Sequence, residues 1–209
     1  NHLLQATSTA RPLVSARVNL LTYTEDFGNA VWAIRYANVT RGANLLTPTT
    51  DNGSHFVGNQ TIATAAGAEY GFRVKAKSSG YNYIGLLFYD LTTAKQTSKT
   101  FNVSTGSVAT QVEPDDGITS TAAITGPDVD GYYDCSILTA AVPGGTAIFD
   151  IRLYNNTPSS NYAGDGTSAV NATDIQVIFA THAYQAILTD GSSYSPTGYP
   201  TCLKFDGTD

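Results

Sequence analysis

The chain has no methionine, one tryptophan and two cysteines, and charged residues make up 13 % of its 209 positions, against ~25 % in ordinary globular domains. The missing methionine goes with a scarcity of other strong helix formers, which argues against a helical bundle. Positive charge is the scarcer sign: 11 Lys and Arg face 17 Asp and Glu, for a net charge of −6. Binding to phosphate backbones needs clustered Lys and Arg, so neither nucleic acid nor an anionic membrane surface is an expected partner. No apolar run approaches the ~20 residues of a spanning helix and no charged-then-apolar leader opens the chain, so membrane insertion is not expected. Cys135 and Cys202 are too few for a disulfide framework in a chain this long, and no Cys/His spacing suggests zinc. Cys135 shares an alternating face with Tyr133 and Ile137 and reads as a buried structural thiol. Serine-hydrolase elbows, H-E-x-x-H, Walker loops and dinucleotide fingerprints are all missing.

What is present favours strands. Hydrophobic residues make up 42 % and aromatics 11 %, with 13 tyrosines, enough for a core and too much for intrinsic disorder. From Val18 the apolar period is two, with turn signals at intervals typical of sandwiches. The clearest case is 69–77, where Tyr70, Phe72, Val74 and Ala76 point one way and Gly71, Arg73, Lys75 and Lys77 the other. Further strands are expected at 19–23, 34–40, 55–63, 83–91, 99–103, 108–112, 132–138, 147–154 and 172–179. Asp, Asn and Gly turns such as 51–53, 115–117 and 164–166 separate them. Only 25–31 suits a helical turn. The expected fold is all-β, a two-sheet antiparallel β-sandwich. The chain starts at Asn1 and stops at Asp209, and reads as a piece of something longer. Segments 1–16 and 181–209 look like strand-bearing flanks around a self-contained core at 17–180, the pattern of an inserted domain.

An enzyme needs a constellation, and none assembles. His2 and His182 lie in the flanks, and His55 opens a strand, where a structural hydrogen bond is the simpler reading. Asp90, Asp134, Asp150 and Asp174 are the carboxylates available for glycoside hydrolysis, but polar-side carboxylates on strands are ordinarily solvated. No catalytic residue is assigned. Sugar binding asks for less: aromatic faces against C–H surfaces, and planar hydrogen-bonding groups that match pairs of hydroxyls. The polar-side alternation of three strands offers Tyr83, Tyr89, Asp150, Arg152, Tyr154 and Gln176 as one ligand surface, if those faces belong to one sheet. The competing reading is a solvent-exposed sheet or a subunit interface. Trp32, flanked by Phe27 and Val31, reads as core.

Residues 19–32, Asn-Leu-Leu-Thr-Tyr-Thr-Glu-Asp-Phe-Gly-Asn-Ala-Val-Trp, closely resemble the "NLLTYSEDFSNAAW" opening of a β-sandwich module common in tailed-phage fibre, spike and tail proteins. Residues 131–136 look like that family's "GWYRCS" strand, residues 162–168 like its "Y-GDGTSG" loop, and Gln176 falls where "WGAQLE" has its Gln. Such modules are similar to jelly-roll carbohydrate-binding modules. The family's two tryptophans are replaced here, one of them by Tyr132. The flanks carry a second resemblance: 1–12 look like the "GNHATQATAASRP" segment, and 203–209 like the "LRFDGTDD" strand, of concanavalin-A-like or laminin-G-like lectin domains.

The resemblance implies a non-catalytic glycan-binding module on a virion surface, in a tail fibre, tail spike or head fibre. Its partners would be bacterial-surface or environmental polysaccharide and other virion subunits, in a homo-oligomer for which a trimer is suited. It also implies a structural calcium ion held by Glu25, Asp26 and Asp174, hard oxygen donors of the kind calcium takes. The alternative from a different class is a structural virion element, a spacer or an oligomerisation unit, that binds no glycan.

Overall fold

The computed structural model describes residues 19–179, apart from 34 and 59–60; the flanks expected at 1–16 and 181–209 lie outside the described residues. Two antiparallel sheets pack face to face. The first runs β1 (Arg35–Ala37), β5 (His55–Gly58), β13 (Gly145–Tyr154), β8 (Tyr83–Asp90), β9 (Lys95–Asn102) and β10 (Ser107–Val108), with β6 (Ile62–Thr64) also paired to β13. The second runs β11 (Ser120–Thr125), β12 (Tyr133–Thr139), β7 (Tyr70–Ser79), β15 (Ala169–Phe179), β3 (Leu45–Pro48) and β2 (Val39–Arg41). A small pair, β14 (Tyr162–Ala163) with β4 (Asn52–Gly53), stands apart. The only helical piece among the described residues is one 3-10 turn at Ala30–Ala33. The all-β, two-sheet antiparallel sandwich expected from the alternation is the fold.

The core is where the alternation put it. Tyr70, Phe72, Val74 and Ala76 of β7 are buried against Ile84, Leu86 and Phe88 of β8 and Phe149, Ile151 and Leu153 of β13. Phe149 is the hinge of this packing, edge-on to Phe88 in its own sheet at 5.1 Å and to Phe72 across the sandwich at 5.3 Å. Each such side chain contributes ~1.5–3 kcal/mol by leaving water. Trp32 is buried against Phe27 and donates its indole N–H to the Tyr23 carbonyl at 2.9 Å.

Four expected strands take other forms; one, 55–63, holds two short ones, β5 and β6. Segment 19–23 runs beside β15 without becoming a strand: Leu20 N–H donates to the Val177 carbonyl at 2.8 Å, while the Asn19 amide clamps Ile175 and Val177. Segment 34–40 divides at Asn38, whose φ of 51° turns the chain so that β1 joins the first sheet and β2 the second. Of 108–112 only Val108 is in a strand. Beyond it the chain becomes a strap along β9: Ala109 N–H donates to the Thr100 carbonyl and Val112 N–H to the Thr100 hydroxyl, and Asp116 exchanges two backbone bonds with Gln96.

Candidate binding groove

The strap and the polar face of the first sheet define the site. Tyr83, Tyr89, Asp150, Arg152 and Tyr154 do share that face, on two paired strands in which Tyr154 opposes Tyr83 and Arg152 opposes Gly85. Gln176 does not join them. It lies in β15 of the other sheet, opposite Arg73, buried, with its amide donating to Asp174 at 2.8 Å. Alternation tells which face of a strand a residue occupies, not which sheet the strand enters.

Nor are the five an open platform. Asp150 and Tyr154 are 0 % and 1 % exposed. The Tyr154 ring lies over Gly85, where a Cβ would stand 2.7 Å from its hydroxyl, so glycine is what lets the ring lie flat on β8. Burial pushes the Tyr154 phenol up, and its hydroxyl sits near those of Ser98 and Thr100. Arg152 is largely buried, its guanidinium 4.5 Å from the Phe56 ring centre, 3.4 Å from the Asp150 carboxylate and 3.6 Å from Glu113. Glu113 reaches it from the strap. That strap is fixed through Asp115, which accepts from Thr97 at 2.7 Å and from Lys99 at 2.7 Å. Burial alone would raise the Asp115 pKa, but these donors, with Ser98 N–H and the Gln111 amide, bring it below the usual range.

Where the strap leaves β9, a groove of about 570 Å³ opens. Tyr83, half-buried, belongs to its lining. One wall is 109–112 and the other Pro158, Ser159 and Ser160. The size falls within the ~300–1,000 Å³ of small-ligand sites. The lining combines one aromatic ring with hydroxyls and an amide, and no residue in it is charged. That combination suits a sugar ring, which presents C–H surface to an aromatic and hydroxyls to short polar groups. Tyr89, six residues along β8 from Tyr83 on the same face, lies opposite Ile148 and is absent from this lining.

A smaller depression, about 230 Å³, lies on the second sheet between Arg73, Ala123, Thr125, Asp134 and Ser136. Its Arg73 is already closed on Asp134 by a two-pronged fork, with Nε bonds of 2.7 and 2.8 Å, and also stands 3.5 Å from Asp174.

The three carboxylates expected to hold calcium do not converge. Glu25 accepts from the Thr173 hydroxyl and from Asp174 N–H at 2.7 Å, Asp26 caps its own turn through Gly28 N–H at 2.9 Å, and Asp174 faces Arg73 and Gln176. No group of three His, Cys, Asp or Glu side chains converges on a metal position among the described residues. This donor set does not fit a calcium ion: Glu25 and Asp174 already face N–H and O–H donors, and Asp26 is turned to its own loop. Asp174 itself sits at φ 51° in the irregular stretch of β15 between Thr173 and Gln176, which aims its side chain at Arg73.

The other carboxylates weighed for hydrolysis are engaged too: Asp90 accepts from Thr92 and Thr93 N–H, Asp134 from Arg73, and Asp150 faces Arg152. His55 is buried, stacked on Tyr162 at 4.3 Å, with Nε2 3.3 Å from the Thr49 carbonyl. Cys135 is buried and free, its thiol pushed up by desolvation and by neighbouring Asp134.

The groove walls went unread in the sequence. Residues 109–112 fall in a segment whose pattern suggests a strand, and 158–160 belong to a loop without periodicity. One signal was available, a glutamate followed by proline in a chain this poor in charge, at Glu113-Pro114. No protein-family model matches the chain, and no curated protein matches it significantly.

Proposed function

We propose that this chain is a non-catalytic glycan-binding module and that the groove at Tyr83 is its site. The observation that carries the reading is the groove itself: a half-buried tyrosine between two polar loops at the open end of a rigid sheet, of a size to take a short saccharide segment. The motif resemblance in 19–32, 131–136 and 162–168 supports placing the module on a phage or prophage fibre, spike or tail protein, at the virion surface. Its partner there would be bacterial-surface or environmental polysaccharide. A shallow groove with one aromatic binds weakly alone; a homo-oligomer such as a trimer would raise the avidity by presenting several copies.

The test is binding of the purified module, displayed multivalently, to an array of bacterial polysaccharides. Tyr83→Ala is expected to weaken binding about tenfold or more through loss of ring stacking, with an unchanged circular dichroism spectrum. Binding untouched by this variant would move the site off the groove. No binding by the wild type would leave the structural virion element as the better reading.

A further inference from the structure

We propose that Arg152 forms a carboxylate subsite at the inner end of the groove, occupied in the free protein by Glu113, so that the module selects acidic saccharides. This rests on reading the groove as a glycan site and adds the class of ligand. Placement comes first. Tyr154 opposes Tyr83 and Arg152 opposes Gly85, so Arg152 sits one row of side chains in from the groove on the same face. The wall residues Gln111 and Val112 lead directly into Glu113.

The state of Arg152 is the second observation. Its Nε is buried with no hydrogen-bond partner, and its terminal nitrogens stand 3.6 Å from Glu113 and 3.4 Å from Asp150. Charge-assisted hydrogen bonds close to ~2.7–2.9 Å, and a buried guanidinium left short of partners is costly. Arg73, in the same protein, shows the closed form, with its fork seated on Asp134 at 2.7 and 2.8 Å. The Arg152 fork is open by comparison. Phe56 lies 4.5 Å from it, and a planar guanidinium against a ring keeps its N–H edge available to a carboxylate.

The neighbours fit the same ligand. Tyr154 Oη and Ser98 Oγ, neighbours on the same face, are buried and fall short of hydrogen-bond geometry. Glu113 is the group such a ligand would displace. It sits on the strap, its side chain is 16 % exposed, and its ion pair is longer than a hydrogen bond. A uronate carboxylate that displaced it would leave the number of carboxylates around Arg152 unchanged. Of the net charge of −6, the distant part is screened by physiological salt beyond ~8 Å, which leaves Asp150 and the displaced Glu113 as the local opposition.

The experiment compares acidic bacterial polysaccharides with the same polymers after reduction of their carboxyls to alcohols, by isothermal titration or on an array. The acidic forms are expected to bind the wild type more tightly. Glu113→Gln is expected to tighten the acidic forms further, by about tenfold, and to leave the reduced forms unchanged. Arg152→Lys keeps the charge beside buried Asp150 and removes the fork; it is expected to abolish the preference while Tyr83-dependent binding persists. Equal binding of acidic and reduced forms, or a Glu113→Gln variant that binds like wild type, overturns the subsite and leaves the glycan reading standing. If no polymer of either kind binds, both fall.

Discussion

His55 is the residue whose chemistry reaches furthest into the stability of the molecule. Burial holds its imidazole below the ordinary 6.5, so the folded protein keeps it neutral where an unfolded chain would begin to take up a proton. The unfolded state therefore binds more protons as pH falls below about 6.5, and stability is complete above that value and drains away beneath it. Asp115 acts in a lower window: held below its usual range, it contributes above the ordinary carboxylate pKa, and that contribution goes as pH drops further. Melting temperature followed from pH 7.5 down to pH 5.5 should fall in the wild type and stay flatter in His55→Phe, which keeps a ring against Tyr162 and cannot titrate. Equal slopes would remove His55 as the cause. Single residues were unevenly legible in the sequence. Trp32 and Cys135 announced themselves as core through apolar company on one face. Asp150 and Tyr154 did not, because periodicity assigns a side chain to a face and says nothing of what lies on top of it.

Pairs of strands carry more information than strands alone, and β8 with β13 shows why. Their register pairs Arg152 with Gly85 and Tyr154 with Tyr83, and the Tyr154 ring lies over Gly85 in the space a side chain there would need. Gly85→Ala would set a methyl 2.7 Å from Tyr154 Oη and 3.1 Å from Arg152 Cβ. Overpacking of this kind is expected to cost about 1–3 kcal/mol, read as a lower denaturant midpoint at constant slope, and to lift Tyr154 off the sheet. A neutral substitution would mean that the ring rearranges freely. Among the strands legible in the sequence, β7, β8, β12 and β13 stand out for a full apolar face. Those it does not show include the two-residue pair β4 and β14, β3, four residues ending at Pro48, and β11, a half-exposed edge of small and hydroxylated residues whose alternation is too weak to see. The groove was missed for a related cause: its walls are a strap and a loop, positioned by hydrogen bonds to Thr100, Lys99 and Asn161 rather than by any repeat.

Across the whole molecule the two sheets stand or fall together, since Phe149 joins Phe88 in one to Phe72 in the other. Phe149→Ala is expected to remove about 3–5 kcal/mol and to lower the melting temperature as one cooperative transition. Two separate transitions would show the sheets to be independent. The strand order has one more consequence. β15 lies between β7 and β3, with Val170 opposite Leu46, so partners about 125 residues apart must meet before the second sheet is whole. During synthesis at ~5–20 residues per second, Leu46 waits roughly 6–25 s for its partner to be made. From the point at which residue 79 is made, β7 offers a bare edge and an uncovered apolar face to every nascent neighbour, and chains growing side by side on one message hold theirs out together. A chain stopped after residue 168 should be caught in that state permanently and recovered in the pellet rather than the supernatant. Of the described strands, β15 is the last to be made and the one that ends the danger.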